Sequence, residues 1–227
     1  MKKHIITITV ILLFLAGVSL LLYPSVSNYI GSLSRHRVIS QYNKAVVQLS
    51  EADCSGIITA ANEYNESLLN NPRRFYPNES GYEKYCKILD FTETGVIGSL
   101  EIDAINVKLP IYLEADAKIL QKGAGYLDGS SLPVGGPNTH SVICAHRGLP
   151  TSTLLADADR LVIGDTFTMK ILNETLTYKI DNIVVVEPDD YKYLQIEPGM
   201  DYCTLITCTP IGTTINRLLI RGCRVFS

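Results

Sequence analysis

Tyr202-Cys203-Thr204-Leu205-Ile206-Thr207-Cys208, then Thr209-Pro210-Ile211-Gly212 and a short polar stretch, then Arg217-Leu218-Leu219-Ile220-Arg221-Gly222-Cys223-Arg224-Val225, reads as strand, turn, strand. Both flanking runs are apolar and β-rich, and Pro and Gly break the chain between them. Paired as a hairpin, Cys208 ends one strand and Arg217 begins the next, with eight residues between them. Both then face the same mouth. Outward from this hairpin, the texture from about residue 96 onward is the same. Val96–Ile102, Val107–Leu113, Ser141–Ala145, Asp165–Leu172 and Leu176–Val186 alternate with Gly, Pro, Asn and Asp turns. Only brief helices are expected, at about 116–122 and 152–160. Many short strands at this spacing predict a mostly β barrel or sandwich.

The N-terminal part is different. Ile5 to Tyr23 is 19 residues without a charge, and as a helix it covers about 28 Å, close to the roughly 30 Å hydrocarbon core of a bilayer. Lys2 and Lys3 precede it, so the positive-inside bias keeps the N-terminus cytoplasmic and exports the remainder. Ser25-Val26-Ser27 also passes as a cleavage site for a signal peptide, but the apolar run is longer than such peptides carry. An uncleaved, single-pass anchor over 1–29 is therefore expected. Val38, Tyr42, Val46 and Leu49 recur one helical turn apart, and Ser50-Glu51-Ala52-Asp53 is a capping-box pattern opening a second helix that Asn71-Pro72 stops. Two juxtamembrane helices over 30–71, an irregular linker or lid-like segment over 72–95 and a β domain over 96–227 complete the expected division.

Composition narrows the function classes. The chain of 227 residues is 46% apolar and 19% charged, which excludes a disordered chain. Beyond residue 30 the charge is 18 − 23 = −5, so there is no electrostatic footprint for nucleic acid. Six cysteines occupy positions 54, 86, 144, 203, 208 and 223. Cys144, Cys203 and Cys223 lie inside apolar runs as small hydrophobes, and Cys and His do not follow zinc spacing. Cys208 stands apart, at a strand mouth before a turn. His146 also sits where a strand opens into a loop, ahead of Arg147-Gly148-Leu149-Pro150, whereas His140 begins that strand. A thiol beside a guanidinium and an imidazole is suited to acyl transfer. A cationic neighbour favours the nucleophilic thiolate, imidazole moves the amine proton, and arginine, which never deprotonates, donates to a developing oxyanion.

Thr204-Leu205-Ile206-Thr207-Cys208 with Arg217 resembles the Thr-Leu-x-Thr-Cys … Arg pattern of the sortases, the cysteine transpeptidases of Gram-positive surfaces. Ser131-Leu132-Pro133-Val134-Gly135-Gly136, Thr139-His140, His146-Arg147-Gly148-Leu149-Pro150, Val186-Glu187-Pro188-Asp189-Asp190 and Arg217–Gly222 are similar to the class C, pilin-polymerising branch. The resemblance covers about 96–226. It implies a closed eight-stranded β-barrel behind two N-terminal helices and a transmembrane helix, at the cell membrane with the catalytic domain outside. It implies Cys208 as nucleophile, His146 as acid/base and Arg217 as stabiliser of the substrate carbonyl. The partners implied are pilin subunits that carry a C-terminal Leu-Pro-x-Thr-Gly-like motif and an acceptor lysine; no metal or organic cofactor is needed.

His140 is left structural, Arg221 is read as a brace or ion-pair residue, and Thr207, by alternation, faces away from Cys208. The class usually carries a lid with an Asp-Pro-aromatic tip. Here the nearest text is Arg74-Phe75-Tyr76-Pro77-Asn78, without the Asp-Pro pair. Either Phe75 or Tyr76 plugs the cleft in another way, or the site stands open, and the missing pair favours the open site. A regulatory disulfide from Cys86 to Cys208 is a minor alternative to an ordinary thiol. A cell-wall-anchoring sortase and a non-enzymatic, membrane-tethered β binding module are the rival functions. A papain-like peptidase fits poorly, because Cys208 ends a strand and follows His146.

Overall fold

The computed structural model describes residues 2–76, 88–149 and 153–226. Cys86 and the stretch 77–87 within the lid-like segment lie outside the described residues. Helix α1 spans Lys2–Val46 and helix α2 Glu51–Leu68. Eight strands follow: β1 Val96–Ile102, β2 Val107–Tyr112, β3 Ala124–Tyr126, β4 Thr139–Ala145, β5 Thr166–Ile171, β6 Glu174–Val186, β7 Asp201–Thr209 and β8 Asn216–Val225. They close into a barrel in the order β1-β2-β3-β4-β7-β8-β6-β5. Seven of these were expected from patterning, while β3 is three residues long and its neighbours in the barrel, rather than its own sequence, define it.

Barrel closure leaves no unpaired edge. Ile143, Leu205, Ile220 and Ile180 point inward from four adjacent strands into one core with Ile97, Leu100, Phe167 and Tyr178. Alternation sends Val142, Ile206, Leu219 and Val184 to the outside of the same strands, where they form a separate apolar cluster with Val186 and Leu194. The opposite side of the barrel is covered by α1. Val38, Tyr42 and Val46, the stripe read from the sequence, pack with Val96 and Tyr112 of β1 and β2. The Tyr42 hydroxyl donates to Ile97 O at 2.8 Å and accepts from Leu172 N at 2.9 Å.

α1 runs without interruption from the apolar segment into this docked stretch, although Pro24 lies inside it. Pro24 removes one N–H donor from the helix ladder without ending the helix. The N-terminus of α2 is fixed as read from the sequence. Ser50 Oγ accepts from Asp53 N at 3.1 Å, and Asp53 Oδ2 accepts from Ser50 N at 3.2 Å, closing the capping box. The helix expected near 152–160 is smaller than anticipated: it is turns leading into the 3-10 turn Ala158–Arg160.

Candidate active site

Cys208 and Arg217 are directly opposed across the antiparallel pair β7–β8. On the same rung pattern Ile206 faces Leu219, and β4 joins in parallel with Cys144 beside Ile206. Two residues further along these two lines stand His146 and Cys208. Period-2 alternation therefore directs Cys144, Ile206, Cys208, Leu219 and Arg217 to the outer face of one three-stranded patch, and His146 follows one residue past the end of β4. Thr207 faces inward and is buried, as alternation required. Its hydroxyl finds no hydrogen-bond partner among the described residues.

Each side chain has a distinct local setting. Burial lowers the His146 imidazole below its ordinary value, so it is mostly neutral at pH 7 and can accept a proton. Its carbonyl accepts from Leu155 N at 3.2 Å, and the loop that follows is pinned by Arg147, whose Nε donates to Ala156 O at 2.9 Å while Nη2 pairs with Asp159 at 2.6 Å. Gly148 has φ +79° and lies against the β7–β8 turn, where a Cβ would come within 2.7 Å of Ile211 and 2.9 Å of Gly212 N. Only glycine lets these two loops approach this closely. Arg217 Nη1 donates to Thr214 O at 3.0 Å and Asn216 O at 3.3 Å. Its Nε and Nη2 donate to no described residue and remain for an incoming oxygen.

Sequence reading treated Cys144 only as a small hydrophobe, but it is part of this patch. Its thiol is pushed up to about 12, first by burial and further by the field of Cys208, against the opposing pull of Arg217. Cys144 is therefore a neutral thiol under working conditions. Cys208 and Cys144 are both partly exposed, and Cys208 stands directly opposite Arg217. The signal for Cys144 was its position two residues before His146, on the same strand face.

The outer apolar cluster lies on the same sheet face as Cys208, and Phe75 of the segment preceding residue 77 packs against it. Phe75 stacks on Tyr191 with ring centroids 4.9 Å apart and an interplanar angle of 7°, and both pack on the outer cluster with Ile206 and Leu219. Arg74 is buried, lies 4.8 Å over the Phe75 ring and donates from Nη2 to Leu194 O at 2.8 Å. Gly129, at φ +83°, admits the Arg74 carbonyl where any Cβ would collide with it. Tyr191 is raised above the usual tyrosine value by burial and then by Asp189 and Cys144. Tyr76 is exposed.

His140 lies at the far end of β4, buried, with Nδ1 bonded to Gln195 O at 2.8 Å and Nε2 to Thr204 Oγ1 at 2.7 Å. It is a structural residue. Arg221 pairs with Asp181 at 2.9 Å and Glu197 at 3.2 Å and lies 4.1 Å over the Tyr202 ring, bracing the sheet away from the patch.

Comparison with known proteins is consistent with this geometry. Residues 100–225 match the family model of the sortase domain. Sortase A of Streptococcus agalactiae serotype III (strain NEM316) is 24% identical over 222 residues, covering 94% of this chain and 81% of that protein. The crystal structure of sortase C1 from Streptococcus agalactiae superposes with a TM-score of 0.79 at 44% identity, over 84% of this chain and 99% of that one. A sortase C of Streptococcus pneumoniae, solved with a view to catalysis and pilin substrate specificity, matches at 39% identity and TM-score 0.74, over 84% and 97% of the two chains.

Proposed function

Given that the chain belongs to the sortase family of cysteine transpeptidases, we propose that it joins pilin subunits through isopeptide bonds, with Cys208, His146 and Arg217 as its catalytic groups. The Cys208 thiolate attacks the threonine carbonyl of a Leu-Pro-x-Thr-Gly-like motif. The Cys208 thiol proton passes to the neutral His146; the thioester C–S bond forms as the Thr–Gly C–N bond breaks, and the imidazolium so formed gives the departing amine that proton. A lysine amine of the next pilin then attacks the thioester. His146 takes the proton of that amine, the Cys208 sulfur leaves, and an isopeptide bond remains. Arg217 donates to the carbonyl oxygen as charge collects there.

One observation carries this reading: the opposed Cys208–Arg217 pair on an outward sheet face, with unspent guanidinium donors beside an accessible thiol. The apolar cluster of Val142, Ile206 and Leu219, on which Phe75 and Tyr191 pack, suits the leucine and proline of the motif once that stack moves aside. The pilin substrates of the pneumococcal neighbour favour pilin over other acceptors. The apolar half of α1, a helix long and apolar enough to cross a membrane, serves as a single-pass anchor that leaves the barrel outside.

Incubating the full chain with a pilin bearing its sorting motif tests the proposal. The wild type yields a ladder of covalent polymers, and Cys208→Ala yields neither cleavage nor ladder. Arg217→Ala loses a factor of about 10² to 10³ in turnover, as expected for removing one oxyanion donor. Monomer release or cell-wall-fragment adducts without polymers would point to wall anchoring instead. Unchanged cleavage by Cys208→Ala would overturn the assignment of the nucleophile.

A further inference from the structure

Strand directions set where the catalytic end of the barrel points. β4, β6 and β7 finish, and β5 and β8 begin, at one pole, so His146, Cys208 and Arg217 gather there, opposite the β5–β6 turn at Leu172–Asn173. α1 lies along the barrel from one pole to the other. At the distal pole Tyr42 holds Leu172 N. At the catalytic pole Asn28 Oδ1 accepts from Thr153 N at 3.1 Å and from Thr153 Oγ1 at 3.3 Å. Thr153 belongs to the loop whose Leu155 N is bonded to His146 O. The catalytic pole is thus the one from which α1 departs toward its apolar half.

The length of that half fixes the height of the pole above a bilayer. From Ile5 through Ser34 no residue of α1 is charged, a run of 30 residues. As helix this is about 45 Å, against a hydrocarbon core of about 30 Å. Asn28 lies inside the uncharged run, so the loop bonded to it stands at the membrane boundary.

On the same pole, Val162 and Ile163 are adjacent and 60% and 66% exposed. Their turn is rigidly held: Asp165 Oδ2 accepts from Val162 N at 3.0 Å and Gly164 N donates to Ile180 O at 2.9 Å. Thr168 of β5 pairs with Glu101, which lines the same α1–barrel crevice as Ser32 and Arg35. From Thr168 back to Ile163 the chain covers about 15 Å. The same length back along α1 from Arg35 reaches about Ser25. Both routes bring the two aliphatic side chains level with the end of the span.

We propose that Val162 and Ile163 form an apolar lip seated at the headgroup–acyl boundary of the bilayer that α1 crosses. The barrel then touches the membrane at two points, and its catalytic pole faces the lipid surface. The inference rests on the reading of the apolar half of α1 as a bilayer span. Asp157, Asp159 and Asp165 flank the lip, with Arg160 and the neighbouring β6 residue Lys179 as cations, an acidic balance, so apolar insertion rather than attraction to anionic lipid holds it, and a zwitterionic bilayer suffices.

The chain contains no tryptophan, which makes single-tryptophan reporters clean. Full-length Leu13→Trp, Ile163→Trp and Asn173→Trp proteins are placed in phosphatidylcholine vesicles with or without bromine on the acyl chains. The bromines should quench Leu13→Trp most and Ile163→Trp partially, with a blue-shifted spectrum, and leave Asn173→Trp unchanged. Val162→Trp reports independently from the adjacent position. Quenched Leu13→Trp together with Ile163→Trp and Val162→Trp that behave like Asn173→Trp overturns the lip and leaves the span intact. Unquenched Leu13→Trp overturns the span reading itself.

Discussion

His140 commits both ring nitrogens to its neighbours. Gln195 O can only accept, so Nδ1 carries the proton, and Nε2 accepts from the Thr204 hydroxyl. Burial lowers this imidazole from 6.5 to about 4; the Gln195 bond opposes that shift, while Arg221 and Arg74 add to it and Asp181 resists it. Between about 6.5 and about 4 the unfolded chain binds a proton that the native state refuses, so stability falls as pH falls through that window and is level above it. The full swing is about 3 kcal/mol. Urea unfolding of the full chain in detergent should show this acid loss, and His140→Gln should flatten it while lowering stability at neutral pH. An unchanged pH slope in the variant would show that His140 takes up its proton alike in the folded and unfolded chain. Sequence reading picked out the residues proposed to react because each sits where an apolar strand meets a turn. It passed over Cys144 despite its place two residues before His146, because the parallel β4–β7 register that sets it beside Ile206 joins strands far apart in sequence, and such strands do not announce their register.

Among the elements, the segment that ends at Tyr76 shows best what patterning leaves out. Its aromatics were legible as lid candidates, but no periodicity could say that Phe75 would stack on Tyr191, 116 positions away. The single run of α1 and the three-residue β3 are of the same kind. Pro24 and short length both speak against an element locally, and tertiary packing decides otherwise. The cover formed by Phe75 predicts its own removal. Phe75→Ala should lose about 0.5–1.5 kcal/mol for the aromatic pair, beyond the area it buries. If the stack shields the groove, cleavage of a soluble sorting peptide should rise severalfold, mainly through a lower KM. A fall in turnover with unchanged KM would instead mark Phe75 as part of the groove floor.

As a whole molecule the chain is a rod with a barrel strapped along it. α1 is bonded to the barrel at both poles, through Tyr42 at one and Asn28 at the other, which ties the proposed membrane span to the end of the barrel that carries the proposed catalytic residues. That geometry matters because a membrane-held substrate presents its sorting motif at a limited height. A shared surface raises effective concentration only when the two sites can meet. A seven-residue polar helical insert after Val26 tests this. It lengthens the rod by about 10 Å and, at nearly two full turns, keeps the docked face of α1 within about 20° of its present direction. Soluble peptide cleavage should be unaffected, because the barrel and its loops are untouched. Polymerisation of pilin held in the same vesicles should drop roughly tenfold or more as the mouth is lifted off the lipid surface. Equal polymerisation by the lengthened and native chains would mean that substrate reach, rather than enzyme height, sets the encounter.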